Sequence, residues 1–98
     1  MPKYLMLWEG DATKFPANPK ERANALLPLF AALRQDIQSG ILKDWGGFLA
    51  ENEGFCIVEG AEEEIQKTID KYRPMIRFYT HPFLTMEQTE RMLKDVAK

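Results

Sequence analysis

One cysteine, one histidine and no excess of basic charge mark this chain of 98 residues. The lone thiol, Cys56, has no internal partner. A disulfide-stapled secreted scaffold is therefore excluded, and a reducing compartment is expected. One Cys and one His cannot supply a zinc set, and neither HExxH nor CxxC spacing occurs, so no metal is expected. Thirteen basic side chains stand against fifteen acidic ones, for a net charge of −2. That balance cannot neutralise a phosphate backbone, so nucleic-acid binding is disfavoured. No apolar run approaches the ~20 residues that span a bilayer. Met1–Trp8 is too short for a signal peptide, so neither membrane nor export is expected and the cytoplasm is the expected location. The glycine pair Gly46–Gly47 lacks GxGxxG or Walker spacing and opens no helix. No phosphate loop, and no cofactor, is expected.

What is present is a globular balance: 45% hydrophobic and 29% charged residues. The length suits a single domain over residues 1–98. Lys3–Glu9 (KYLMLWE) is dense in apolar residues and stops at Gly10, which predicts a buried strand. Asn18 then caps a helix with Pro19 at its first position and Glu21 three residues on. Leu26, Phe30, Leu33 and Ile37 form its apolar stripe, Pro28 kinks or divides it, and Gly40 ends it. Ile41–Ala50 reads as a second strand in which Gly46–Gly47 implies a bulge or a close approach. The turn Glu51–Gly54 leads into Phe55–Glu59, closing a hairpin. Glu62, Glu63 and Glu64 suit the positive end of a second helix with the stripe Ile65, Ile69 and Tyr72, stopped by Pro74. Met75–Leu84 is a fourth strand, ending near His81–Pro82. Thr85 and Gln88 form a capping box for a last helix carrying Met86, Leu93 and Val96.

The order β-α-β-β-α-β plus a C-terminal helix predicts an α+β, ferredoxin-like fold with a four-stranded antiparallel sheet. Strand alternation divides the side chains between two faces. Aliphatic sets (Leu5 and Leu7, Cys56 and Val58, Ile76 and Phe78) are expected under the helices. The second face is then expected to hold Tyr4, Met6, Trp8, Phe55 and Ile57, with Arg77, Tyr79, His81 and Phe83 beside them. Such an apolar face needs a cover. The simplest is the same face of a second copy related by a two-fold axis. The alternative is the C-terminal helix folding across its own sheet in a monomer.

The segments KYLMLWEG, WGGF, GFCIVEG and RFYTHPFLT together resemble the dimeric α+β-barrel superfamily, most closely its small uncharacterised members. The resemblance runs over nearly the whole chain and rests on structural motifs. It implies the ferredoxin-like fold, a homodimer forming a dimeric α+β barrel, and a pocket between sheet and helices. That superfamily includes monooxygenases of polyketide-like substrates and muconolactone-isomerase-like enzymes, so it selects no reaction.

Three functional readings follow. The first is a homodimer binding a small apolar or aromatic ligand between sheet and helices. Trp8, Trp45, Tyr79 and Phe83 would line that pocket beside Gly46 and Gly47, Arg77 and His81 would orient the ligand, and Glu59 would pair with Arg77 across strands. The second is a cofactor-free, monooxygenase- or isomerase-like enzyme. In it His81 exchanges a proton while Arg77 or Tyr79 stabilises an enolate-like anion. The third is a structural or partner-binding module with no pocket. In that case His81 is a rim residue and the tryptophans are packing anchors.

Overall fold

The computed structural model describes residues 2–98. Strand β1 spans Lys3–Gly10 and leads through a 3-10 turn at Ala12–Lys14 into helix α1, Pro19–Ser39. Strands β2 (Leu42–Gly47) and β3 (Glu53–Glu59) form a hairpin. Helix α2 (Glu62–Asp70), strand β4 (Ile76–Phe83) and helix α3 (Met86–Val96) complete the chain. The strands lie in the order β2-β3-β1-β4, every neighbouring pair antiparallel. This is the ferredoxin-like arrangement that the element order predicts.

Local chemistry sets the boundaries. Asn18 Oδ1 accepts from the amides of Lys20 and Glu21 at 3.0 and 3.1 Å, satisfying two otherwise orphaned donors at the start of α1. Pro28 lies inside α1, which runs unbroken to Ser39; there it ends on Gly40 at φ 88°, a left-handed value that glycine adopts without strain. Helix α3 begins with a complete capping box. Thr85 Oγ1 accepts from Gln88 N at 3.2 Å, and Gln88 Oε1 accepts from Thr85 N at 2.8 Å. Pro82 is accommodated in β4 because β4 is an edge strand, with one side free of ladder bonds.

The β2–β3 turn begins earlier than the sequence predicts, at Phe48, and β3 already starts at Glu53. The register shift in β2 falls between Leu42 and Asp44, not at Gly46–Gly47. Gly46 answers to close approach instead. A Cβ on Gly46 would overlap the ring of Phe55, its cross-strand partner.

The two faces of β1 are reversed from the expectation. Met6 is buried, and Tyr4 and Trp8 turn with it toward the helices, while Leu5 and Leu7 lie on the other face. The cause is volume matching across strands. On the helix side, Tyr4, Met6 and Trp8 stand opposite Val58, Cys56 and Gly54, so large side chains meet small ones. On the other side, Leu5 and Leu7 stand opposite Ile57 and Phe55. A one-position change of phase moves every side chain of a strand to the opposite face. The faces of β3 and β4 match the expectation.

The core consists of Met6, Leu42, Cys56, Val58, Ile65 and Tyr72, between the sheet and helices α1 and α2. Helix α3 does not fold back over the sheet. It is exposed along its whole length, with Met86 at 76% and Val96 at 83%. The radius of gyration is accordingly 16.3 Å and the longest axis 61 Å, against about 13 Å for the radius of a compact domain this long.

Candidate functional site

Between the helices and the sheet lies an apolar cleft of about 140 Å³. Its floor is the helix-facing side of the sheet, including Met6, Trp8, Trp45 and Cys56. Its roof is the stripe Leu26, Leu29, Leu33 and Asp36 of α1, together with α2.

One wall is aromatic. Trp8 of β1 and Trp45 of β2 stack with centroids 5.3 Å apart and planes 11° from parallel. Phe30 of α1 meets Trp45 edge-on at 5.2 Å and 77°. These two tryptophans lie on strands separated by β3. They can meet because β3 presents Gly54 between them, where a Cβ would overlap the Trp8 ring and the Gly46 carbonyl oxygen. Trp8 Nε1 donates to the carbonyls of Gly46 and Phe55, each at 3.2 Å, which locks the indole in place.

The other end is polar. Asp36 is the one buried charged residue among those described, 5% exposed. Its Oδ2 accepts from the Tyr72 hydroxyl at 2.6 Å, and its Oδ1 accepts from Lys71 Nζ. Burial, reinforced by the hydrogen bond to Asp36, pushes the Tyr72 hydroxyl well above the ordinary phenol range. Burial alone pushes the Cys56 thiol up to about 12. Burial thus holds Cys56 as the protonated, less reactive thiol.

Of the residues singled out from the sequence, Trp8 and Trp45 line the cleft. Gly47 lies beside both rings, where a Cβ would stand 3.7 Å from Trp45 and 3.8 Å from Trp8. Arg77, Tyr79, His81, Phe83 and Glu59 belong to the opposite face of the sheet with Gly46, as their pairing with Glu9, Leu7, Leu5 and Lys3 of β1 and Phe55 of β3 requires. Arg77 Nη1 approaches the Tyr79 hydroxyl at 3.4 Å, and that contact raises the Arg77 pKa further. His81 is exposed, across from Leu5. The sheet therefore separates the tryptophan pair from the His81 group, and the two do not form one site.

Asp36 and Tyr72 are the site residues that sequence reasoning missed. Tyr72 was legible as an apolar-stripe residue, without its partner. The signal for Asp36 was its position: Leu26, Leu29, Leu33 and Asp36 follow a 3-4-3 spacing, so an acid occupies the buried stripe. Ile37, expected there instead, is 48% exposed.

No family model matches this chain, and no curated protein matches it significantly.

Proposed function

We propose that this chain is a homodimeric small-molecule-binding protein whose ligand occupies the cleft between α1, α2 and the sheet. The observation that carries this reading is the cleft itself, an apolar volume of about 140 Å³ walled by the Trp8–Trp45 stack. A dry apolar cavity of about 150 Å³ accepts a benzene ring. The volume thus suits one aromatic ring or a compact pair, and the parallel indoles offer a flat surface to stack against.

Homodimerisation accounts for the open face of the sheet. Leu5, Leu7, Phe55, Ile57 and Tyr79 share that face, with Leu7 39% and Tyr79 45% exposed. The face is charged at both ends in a self-complementary way. Lys3 pairs with Glu59 at one end, and Glu9 stands opposite Arg77 at the other. Each end thus carries one charge of each sign, so a second copy meets no net like charge at either end.

An enzyme using His81 would have to work on that same open face, because the sheet divides His81 from the cleft. In the single chain that face is open to water, which weakens the electrostatic interactions such chemistry needs, and in the proposed homodimer it is the surface that the second copy covers.

The test of the binding reading is titration with a panel of one-ring aromatic compounds. The two indole N–H signals and the melting temperature are followed together. Saturable shifts at both indoles, with a raised melting temperature, support it. A panel that moves neither overturns it.

A further inference from the structure

We propose that the cleft selects a ligand carrying a hydrogen-bond donor, a hydroxyl or N–H group on a small aromatic body, which it presents to Asp36 and Tyr72. This inference rests on the binding reading above and adds the polar chemistry of the ligand.

The argument is a count of donors and acceptors around the cleft. The Trp8 indole N–H is already shared between two carbonyls. The Tyr72 hydroxyl must donate to Asp36, because a carboxylate can only accept. The Thr68 hydroxyl donates to the Glu64 carbonyl at 2.9 Å. Asn52, exposed at the mouth, gives an amide hydrogen to the Gly10 carbonyl at 3.0 Å. The strong donors inside the cleft are therefore spent on the protein, and the one left over is the second amide hydrogen of Asn52 at the exposed mouth.

Acceptor capacity remains. Each Asp36 oxygen takes one hydrogen bond in this structure and can take a second. The Tyr72 and Thr68 oxygens, having donated, keep free lone pairs. A ligand with only acceptors finds no partner among these oxygens, whereas a ligand that donates can add a hydrogen bond to one of them. A carboxylate ligand would in addition bring a second carboxylate beside Asp36, whose one cation, Lys71, is already paired with it. A phenol, an indole or an aromatic amine meets neither obstacle, and a hydrogen bond to a charged acceptor is among the stronger kinds.

The experiment uses three probes of one shape: p-cresol, p-xylene and p-toluate. Binding to the intact chain is followed through the Trp8 and Trp45 indole signals. The expected order is p-cresol at least tenfold tighter than p-xylene, with p-toluate not bound. Asp36→Asn is expected to weaken p-cresol several-fold and to leave p-xylene unchanged. Tyr72→Phe gives a second variant that removes a lone pair without removing the charge, and a smaller loss is expected. If p-xylene binds as tightly as p-cresol, or p-toluate binds best, the donor inference is overturned while the binding reading stands. If none of the three binds, both fall. The ranking on the unaltered chain decides the matter even where a variant fails to fold.

Discussion

Trp8 and Trp45 stack across an intervening strand, and Gly54 of that strand leaves the space in which their rings meet. The stack is the link between the fold and the cleft. It closes one wall, it ties β1 to β2 over β3, and it receives Phe30 from the helix layer.

Gly54→Ala should therefore be far worse than Gly47→Ala, although both glycines are paired to each other in one hairpin. A methyl at Gly54 overlaps backbone as well as the Trp8 ring, whereas one at Gly47 reaches ordinary contact distance from both indoles. Overpacking of that kind costs about 3 kcal/mol or prevents folding. Gly47→Ala should be neutral or stabilising by up to about 1 kcal/mol. Urea unfolding of the two variants measures the difference. Equal stabilities would show that Trp8 does not lie over Gly54.

Asp36→Ala removes the acceptor of the buried Tyr72 hydroxyl. The orphaned hydroxyl should cost about 2 kcal/mol. Lys71→Ala should cost about 1–3 kcal/mol, because it leaves the Asp36 carboxylate, only 7% exposed, without its cation. A double-mutant cycle of Asp36→Ala with Tyr72→Phe should show a coupling of about 1 kcal/mol. A coupling near zero would place no working bond between them.

Cys56 should resist thiol reagents at pH 8 in the folded protein and react quickly in urea. Burial pushes its thiol up from an ordinary value near 9.0 to about 12. Below about pH 9 the thiol is protonated in both states. Between 9 and about 12 only the unfolded chain ionises, so this residue's contribution to stability falls across that window. Cys56→Ser, or Cys56→Ala, should flatten that part of the stability profile. An unchanged slope would show that the thiol titrates alike in both states.

Ile57→Lys should convert a dimer of 11.4-kDa chains into monomers at tens of micromolar without unfolding them, since Ile57 lies on the open face. Light scattering reads the mass. A monomer before substitution would remove the dimer from the proposal and leave the open face without its cover.

The element order, the helix caps at Asn18 and Thr85, and the faces of β3 and β4 were legible because each follows from a local rule of spacing or capping. The faces of β1 were not. KYLMLWE is apolar on both sides, so its alternation carries no sign. The choice is made by Gly54 and Cys56, which lie about fifty residues away and leave room for Trp8 and Met6. For the same reason the sequence joined Trp8 and Trp45 to His81 and Arg77, which the sheet divides. Asp36 escaped notice because an acid on a helix reads as solvated until its partner, Tyr72, is placed by the turn after α2.

The central claim is that a small aromatic ligand lies between α1 and the sheet. The direct measurement is a crystal structure with 4-bromophenol, in which anomalous scattering locates the bromine and difference density locates the ring. The account predicts a ring stacked along the Trp8–Trp45 wall with its hydroxyl within hydrogen-bond distance of Asp36 or Tyr72. Bromine on the open face of the sheet beside His81, or none bound at saturating concentration, would contradict it.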